Sequence, residues 1–231
     1  MTAQQIMTEL QSQGQESIRN ILLKHGVRAP LFGVKVEYLK TIQKKVKMDY
    51  QLAKDLYATG NADAMYLAGL IADDEKMTKA DLETWVKQAQ SHNISEHTVP
   101  WVAVGSKHGF ELALKWIDSP QEHIAAAGWA TLAGLVSLKP DSELDLPALK
   151  TLLDRVIQTI HTAGNRVRYT MNTFVISAGS YVAALTADAL AAASKIGIVT
   201  VDMNGTACKV PAAQECIEKG KDRKKKKTVK C

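Results

Sequence analysis

A chain of 231 residues, 46% hydrophobic and 23% charged, is long and apolar enough to bury a substantial core as a globular protein. No apolar run approaches the roughly 18 residues that cross a bilayer, and the N-terminal MTAQQIMTELQSQGQ lacks the basic flank and apolar centre of a signal peptide. A cytoplasmic location with no membrane partner is therefore expected. Three cysteines, Cys208, Cys216 and Cys231, show no CxxC spacing and signal neither a disulfide framework nor a metal site, and no cofactor is indicated.

The body reads as helix almost throughout. Ala64, Leu67, Ala68 and Ile71 recur at i, i+3, i+4 and i+7, the spacing that puts apolar side chains on one helical face. Leu82, Trp85, Val86 and Ala89 repeat the pattern behind Thr78-Lys-Ala-Asp81, a weak capping box, and Phe110, Ala113, Leu114 and Ile117 repeat it again. Ser119-Pro-Gln-Glu122 predicts a better helix start, with Ser119 as cap, Pro120 at the first helical position and Glu122 completing the box. The widest stripe, Leu149, Leu152, Leu153, Val156, Ile157 and Ile160, predicts a buried helix. The run IVTVD, residues 198 to 202, alternates like a strand, but one short strand makes no sheet, so it reads as an extended link. About a dozen helices of roughly 10 to 18 residues, joined by brief loops, predict an all-α, HEAT-like solenoid of stacked antiparallel pairs over residues 1–218. No strict repeat is visible in the sequence, and a closed all-α bundle would satisfy the same helix count.

Charge is unevenly placed. Of the net +5, residues 219–231 supply eight Lys or Arg against one Asp, which leaves 21 basic and 23 acidic residues, a net −2, in the preceding 218. Such a run repels itself and is expected to be disordered, as a solubilising tail or as an arm that carries much of the non-specific affinity for nucleic acid. A prenylated membrane anchor fits less well, because Cys231 is the last residue and not the fourth from the end.

Several segments resemble the DNA alkylation repair family, the AlkD-like HEAT-repeat glycosylases. They are GVRAPLFGVKVEYLKTI from Gly26 to Ile42, Pro100-Trp101, NRVRYTMN from Asn165 to Asn172, and Cys208-Lys-Val-Pro211, within a likeness that spans residues 20 to 215. The resemblance implies excision of N3- and N7-alkylated purines from DNA. Those bases already carry positive charge and leave readily, so the protein's task is to stabilise the cation-like sugar with a carboxylate and an aromatic face. In the family a tryptophan is followed by that aspartate one helical turn later. Trp101 matches the tryptophan, but Gly105 stands at the aspartate position, and the family's DNA-facing arginine falls at Ala126. Glu96 and Glu111 are the nearest acids, neither of them one turn from Trp101, so no catalytic residue is assigned. An aspartate introduced at Gly105 is expected to restore the charge at no more than about 1 kcal/mol, unless a close helix contact leaves no room.

The residues expected to meet DNA follow from charge and position. Trp101 suits a stacking wall or a core site, whereas Trp85, Trp116 and Trp129 lie on apolar stripes and are expected to pack. Lys107 and His108 sit near a helix end, where the dipole favours cations without any ligand. Arg166 and Arg168 open a helix, where cations are disfavoured, which points to a phosphate or a partner; Arg168 shares a face with Asn172. Lys35, with Lys40, Lys44, Lys45 and Lys47, reads as a solvated face or a backbone contact, and Lys224, Lys225, Lys226 and Lys227 as the arm. Two functions fit: a solenoid that cradles duplex DNA through phosphate contacts, with alkylpurine excision weakened by Gly105, or a protein-binding scaffold without catalysis.

Overall fold

Helices apolar on most sides must be covered on most sides, and two such helices set the architecture. The computed structural model describes residues 1–221 and 223–230, so the expectation for Cys231 lies outside the described residues. Its helices are α1 (Ala3–Ser12), α2 (Glu16–Lys24), α3 (Val36–Val46), α4 (Tyr50–Tyr57), α5 (Ala62–Ile71), α6 (Lys79–Gln88) and α7 (Val99–Gly105). There follow α8 (Gly109–Trp116), α9 (Glu122–Leu138), α10 (Leu146–Thr159), α11 (Asn165–Tyr181), α12 (Thr186–Ile196) and α13 (Ala213–Gly220). A π-helical turn, Ile94–Thr98, runs directly into α7, and no strand occurs among the described residues.

The apolar helices are α5 and α9, and with α7, α11 and α13 they form an inner layer in which each packs against the next. Outer helices α4, α6, α8, α10 and α12 back onto that layer, giving the stacked pairs of a HEAT-like solenoid rather than a closed bundle. Two large apolar clusters meet at α8 and α9: one runs from Ile6 to Ala127, the other from Ala113 to Ile217. No helix among the described residues is long and apolar enough to cross a membrane by itself.

Local sequence signals are realised unevenly. Thr78 and Asp81 form a full capping box, with reciprocal bonds of 3.1 and 3.0 Å, although it looked the weaker of the two boxes. The box at Ser119 does not form. The helix begins at Glu122, Ser119 Oγ accepts from the Gln121 N–H at 3.1 Å, and the Glu122 carboxylate instead accepts the Arg166 N–H, a free donor in the first turn of α11, at 3.0 Å. The widest stripe, on α10, is a half-buried amphipathic face rather than a fully enclosed helix: Leu149, Leu152, Leu153 and Val156 are buried, while Ile157 is only partly covered. Residues 198–202 are an extended link, as expected; Val199 and Val201 are buried, and the Asn165 side chain pairs with both backbone groups of Asp202 at 2.7 and 2.9 Å.

The segment Gly26–Ile42 is held by one buried carboxylate. Asp63, at the start of α5, accepts the N–H groups of Phe32, Gly33 and Val34 at 2.6, 3.1 and 3.0 Å. Gly33 has φ +82°, and a Cβ there would meet the backbone N of Arg19 at 2.5 Å, so only glycine lets three successive N–H groups converge. Asp63→Asn removes charge assistance from all three bonds and is expected to destabilise the fold by about 2 kcal/mol in urea unfolding.

Candidate nucleic-acid interface

Small residues on neighbouring inner helices leave a trough between them. Pro100, Trp101 and Val104 of α7, Ala130, Ala133 and Gly134 of α9, and Tyr169, Thr170, Thr173 and Ser177 of α11 line a cleft of about 280 Å³. The wide π-helical turn before α7 brings Glu96 and His97 onto the same wall as Trp101. Trp101 is 5% exposed and meets the Tyr66 ring edge-on, with centroids 5.2 Å apart, so it belongs to the core and to the cleft wall at once. Trp85, Trp116 and Trp129 are buried, as the stripes predicted; Trp85 stacks on Tyr57 at 3.9 Å.

Arg166 has a protein partner. Its Nε and Nη2 donate to both oxygens of Glu96 at 2.7 and 2.6 Å, its guanidinium lies 4.5 Å from the Tyr169 ring centre, and the Glu96 side chain is only 3% exposed. Burial pushes the Glu96 carboxyl up and Arg166 pulls it back, while burial and then Arg166 lower His97, favouring its neutral form. Glu96 thus shares the cleft with Trp101, yet its charge is spent on Arg166. Glu111 pairs with Lys79 at 2.6 Å, away from the cleft.

The other expected contacts scatter. Arg168 lies on the side of α11 opposite the cleft residues, with Asn172, whose amide donates to the Pro211 carbonyl at 2.9 Å. Lys107 borders a separate cleft with Lys139 and Glu143, His108 begins α8 beside it, and Lys35 is exposed at the start of α3. Ala126 is fully buried on the face of α9 that carries Ala130, Ala133 and Gly134, one turn before the cleft residues.

At Gly105 the space is already filled. A Cβ built there would lie 2.7 Å from both Cβ and Cγ of Asp74, a residue of the loop between α5 and α6, with Asp74 Oδ2 closer still. The exception attached to the expectation of an aspartate at Gly105 is therefore the case that holds: a close contact leaves no room, because a side chain there collides with a carboxylate already present. Asp74 Oδ1 in turn accepts from Lys230 Nζ at 2.7 Å, and burial pushes the Asp74 carboxyl up to about 6 although Lys230 opposes the shift. Nothing local to Trp101 in the sequence points to Asp74, 31 positions before Gly105. The one signal was the glycine itself, since a helix glycine leaves room for a neighbour.

The basic tail does not hang free. Arg223 N–H donates to the Ser180 carbonyl at 3.1 Å, Lys226 N–H to Ser137 at 2.8 Å, Lys225 Nζ to Val136 at 2.8 Å and Lys230 Nζ to Ala72 at 2.9 Å. Lys225 also pairs with Asp141 at 2.8 Å, and Lys226 and Val229 form part of the cleft wall. Lys224, Lys226 and Lys227 are exposed. The run expected to be disordered by self-repulsion is here divided among acceptors at the ends of three inner helices and two carboxylates, which pair with Lys225 and Lys230.

A family model described as DNA alkylation repair enzyme matches residues 6–214. The chain belongs to the DNA alkylation repair family. An uncharacterized protein of Listeria monocytogenes is 33% identical over 97% of this chain and 100% of its own length, and one of Listeria innocua is 32% identical over 96% and 99%. A solved structure described as "a new family of proteins related to the HEAT-like repeat DNA glycosylases with affinity for branched DNA structures" is 33% identical, covers 100% of both chains and superposes with a TM-score of 0.91. Against the pattern that the resemblance implies, Trp101 stands at the tryptophan, and Gly105, at the aspartate position, has the Asp74 carboxylate packed against it.

Two outcomes follow from this geometry. Arg166→Met strands a buried Glu96 charge and should cost about 3 to 5 kcal/mol in urea unfolding at pH 7, whereas Glu96→Gln/Arg166→Met should cost markedly less. Asp74 holds its proton more tightly in the folded state, at about 6 against 3.8, so its charge costs stability above pH 6 and the cost vanishes as pH falls below about 4. Urea unfolding should accordingly show wild-type stability falling as pH rises from about 4 to 6, and Asp74→Asn should flatten that fall.

Proposed function

We propose that this member of the DNA alkylation repair family is a DNA-binding protein that holds branched or sharply distorted DNA against the inner layer through phosphate contacts, and that alkylpurine excision is not its principal activity. The observation that carries this reading is the state of the carboxylate at Gly105. Excision of a cationic base needs a free negative charge beside the sugar; here the Asp74 oxygen is ion-paired to Lys230, and Glu96 is ion-paired to Arg166. What remains suits binding: an aromatic wall at Trp101, the hydroxyls of Thr170, Thr173 and Ser177, and exposed lysines at the rim.

Branched DNA is the favoured form for an electrostatic reason as well as by likeness to the solved relative. A body of net −2 attracts a straight duplex weakly, while a junction brings the phosphates of several strands within reach of one short cationic edge. A protein-scaffold role would call for a contiguous apolar face. The exposed large apolar side chains Ile21, Val36, Met48 and Ile198 instead lie on separate elements.

Fluorescence anisotropy with a four-way junction and a linear duplex of the same sequence tests the reading. The junction should bind at least about 10-fold more tightly, a difference of about 1.4 kcal/mol. Incubation with N7-methylated duplex should release purine at the background rate. Equal affinity for both DNAs, or rapid purine release, would overturn it.

A further inference from the structure

The C-terminal segment meets the body at one kind of place. Ser180 lies in the last turn of α11, Val136 and Ser137 in the last turn of α9, and Ala72 directly after α5. These are helix C-termini, where carbonyls lack intrahelical partners and the dipoles present negative charge. Asp141 and Asp74 stand beside the same rim. Without residues 223–230, this edge of the cleft would be electronegative and would repel phosphate.

With the segment in place the sign reverses. Lys225 and Lys230 turn inward, their side chains 24% and 16% exposed, and are consumed by the carbonyls and the two carboxylates. Val229 packs on the N-terminal apolar cluster and fixes the chain between those two anchors. Lys224, Lys226 and Lys227 face outward, with Lys226 also over the Tyr181 ring at 5.6 Å. The cleft stays open beneath the segment, which forms one of its walls rather than filling it.

We propose that residues 223–230 are a fixed cationic lining of the DNA groove, in which Lys225 and Lys230 are anchors and Lys224, Lys226 and Lys227 are the groups that meet phosphate. The proposal rests on the groove reading above and adds to it the source of the positive charge. It differs from a free arm, which would need no anchors, and from an inhibitory plug, which DNA would have to expel. Its physical advantage is entropic: cations already ordered on the rim lose little freedom when a phosphate arrives.

The three arrangements predict opposite signs for one substitution. Asp74→Asn removes a negative charge from the rim, so a free arm or a plug predicts unchanged or tighter junction binding. A lining that depends on that anchor predicts weaker binding, by about 3- to 10-fold, which is about 0.6 to 1.4 kcal/mol. Lys230→Gln should weaken binding similarly. In both variants, hydrogen exchange at the Lys226 and Arg223 amides should accelerate, because their acceptors at Ser137 and Ser180 hold them only while the segment is pinned. Lys224→Gln/Lys227→Gln should leave those amides protected and make the salt dependence of junction binding shallower by about 2 in log–log slope. Wild-type protein that binds no junction would remove the groove reading and the lining together. Wild-type binding matched or exceeded by Asp74→Asn and Lys230→Gln, or an unaltered salt slope in the Lys224/Lys227 variant, would overturn the lining and leave the groove reading standing.

Discussion

The structure turns on the ion pair between Glu96 and Arg166. It joins the π-helical turn, which is seated in the N-terminal apolar cluster, to the first turn of α11, which is seated in the C-terminal one. Across the cleft α7 and α11 are thus linked directly by a two-point contact, in addition to α9, which packs against both. A bidentate guanidinium–carboxylate contact has a defined plane and length, whereas apolar packing tolerates sliding. The pair also explains why an arginine can open a helix whose dipole opposes it: Glu96 offsets that cost, and Glu122 accepts the adjacent N–H.

Much of the fold was legible because helix periodicity is a local property. The stripes at Ala64–Ile71 and Leu82–Ala89 and the reading of Ile198–Asp202 as a link needed only neighbours three or four residues away. The failures were of competition. Glu122 had two possible employers, its own cap and the N-terminus of α11, and sequence spacing shows only the first. The site was less legible for the same reason. Arg166 was recognised as an unusual cation, but its partner is 70 residues away, and the carboxylate at Gly105 arrives from a loop of another repeat. A charge run such as 223–230 reads as solvated when its own repulsion is the only visible term; the helix C-termini that absorb it exist only after the solenoid has formed.

The distribution of charge follows from solenoid geometry. The C-terminal ends of α5, α9 and α11 are all bonded by the one segment 223–230 and so share a rim, and the partial charges of those ends add without any acidic side chain. A protein that approaches phosphate from that side must mask the rim. Here the masking comes from the chain's own last residues, whose lysines bond the terminal carbonyls of α9 and the carbonyl following α5. Residues 1–218 carry a net −2, while Lys224, Lys226 and Lys227 stand exposed along this one edge.

The same masking bears on chemistry. A carboxylate accelerates departure of a cationic base only if its charge is uncompensated in the ground state and meets new positive charge in the transition state. Asp74 meets neither condition while Lys230 sits 2.7 Å away, because the ammonium already occupies the favourable position and burial holds the proton affinity high. A glycine at position 105 with a loop-borne, paired carboxylate packed against it therefore leaves that acid little electrostatic power toward a cation. An aromatic wall, a row of hydroxyls and a cationic edge are left, and on the function proposed above these would meet the shape and charge of a nucleic acid.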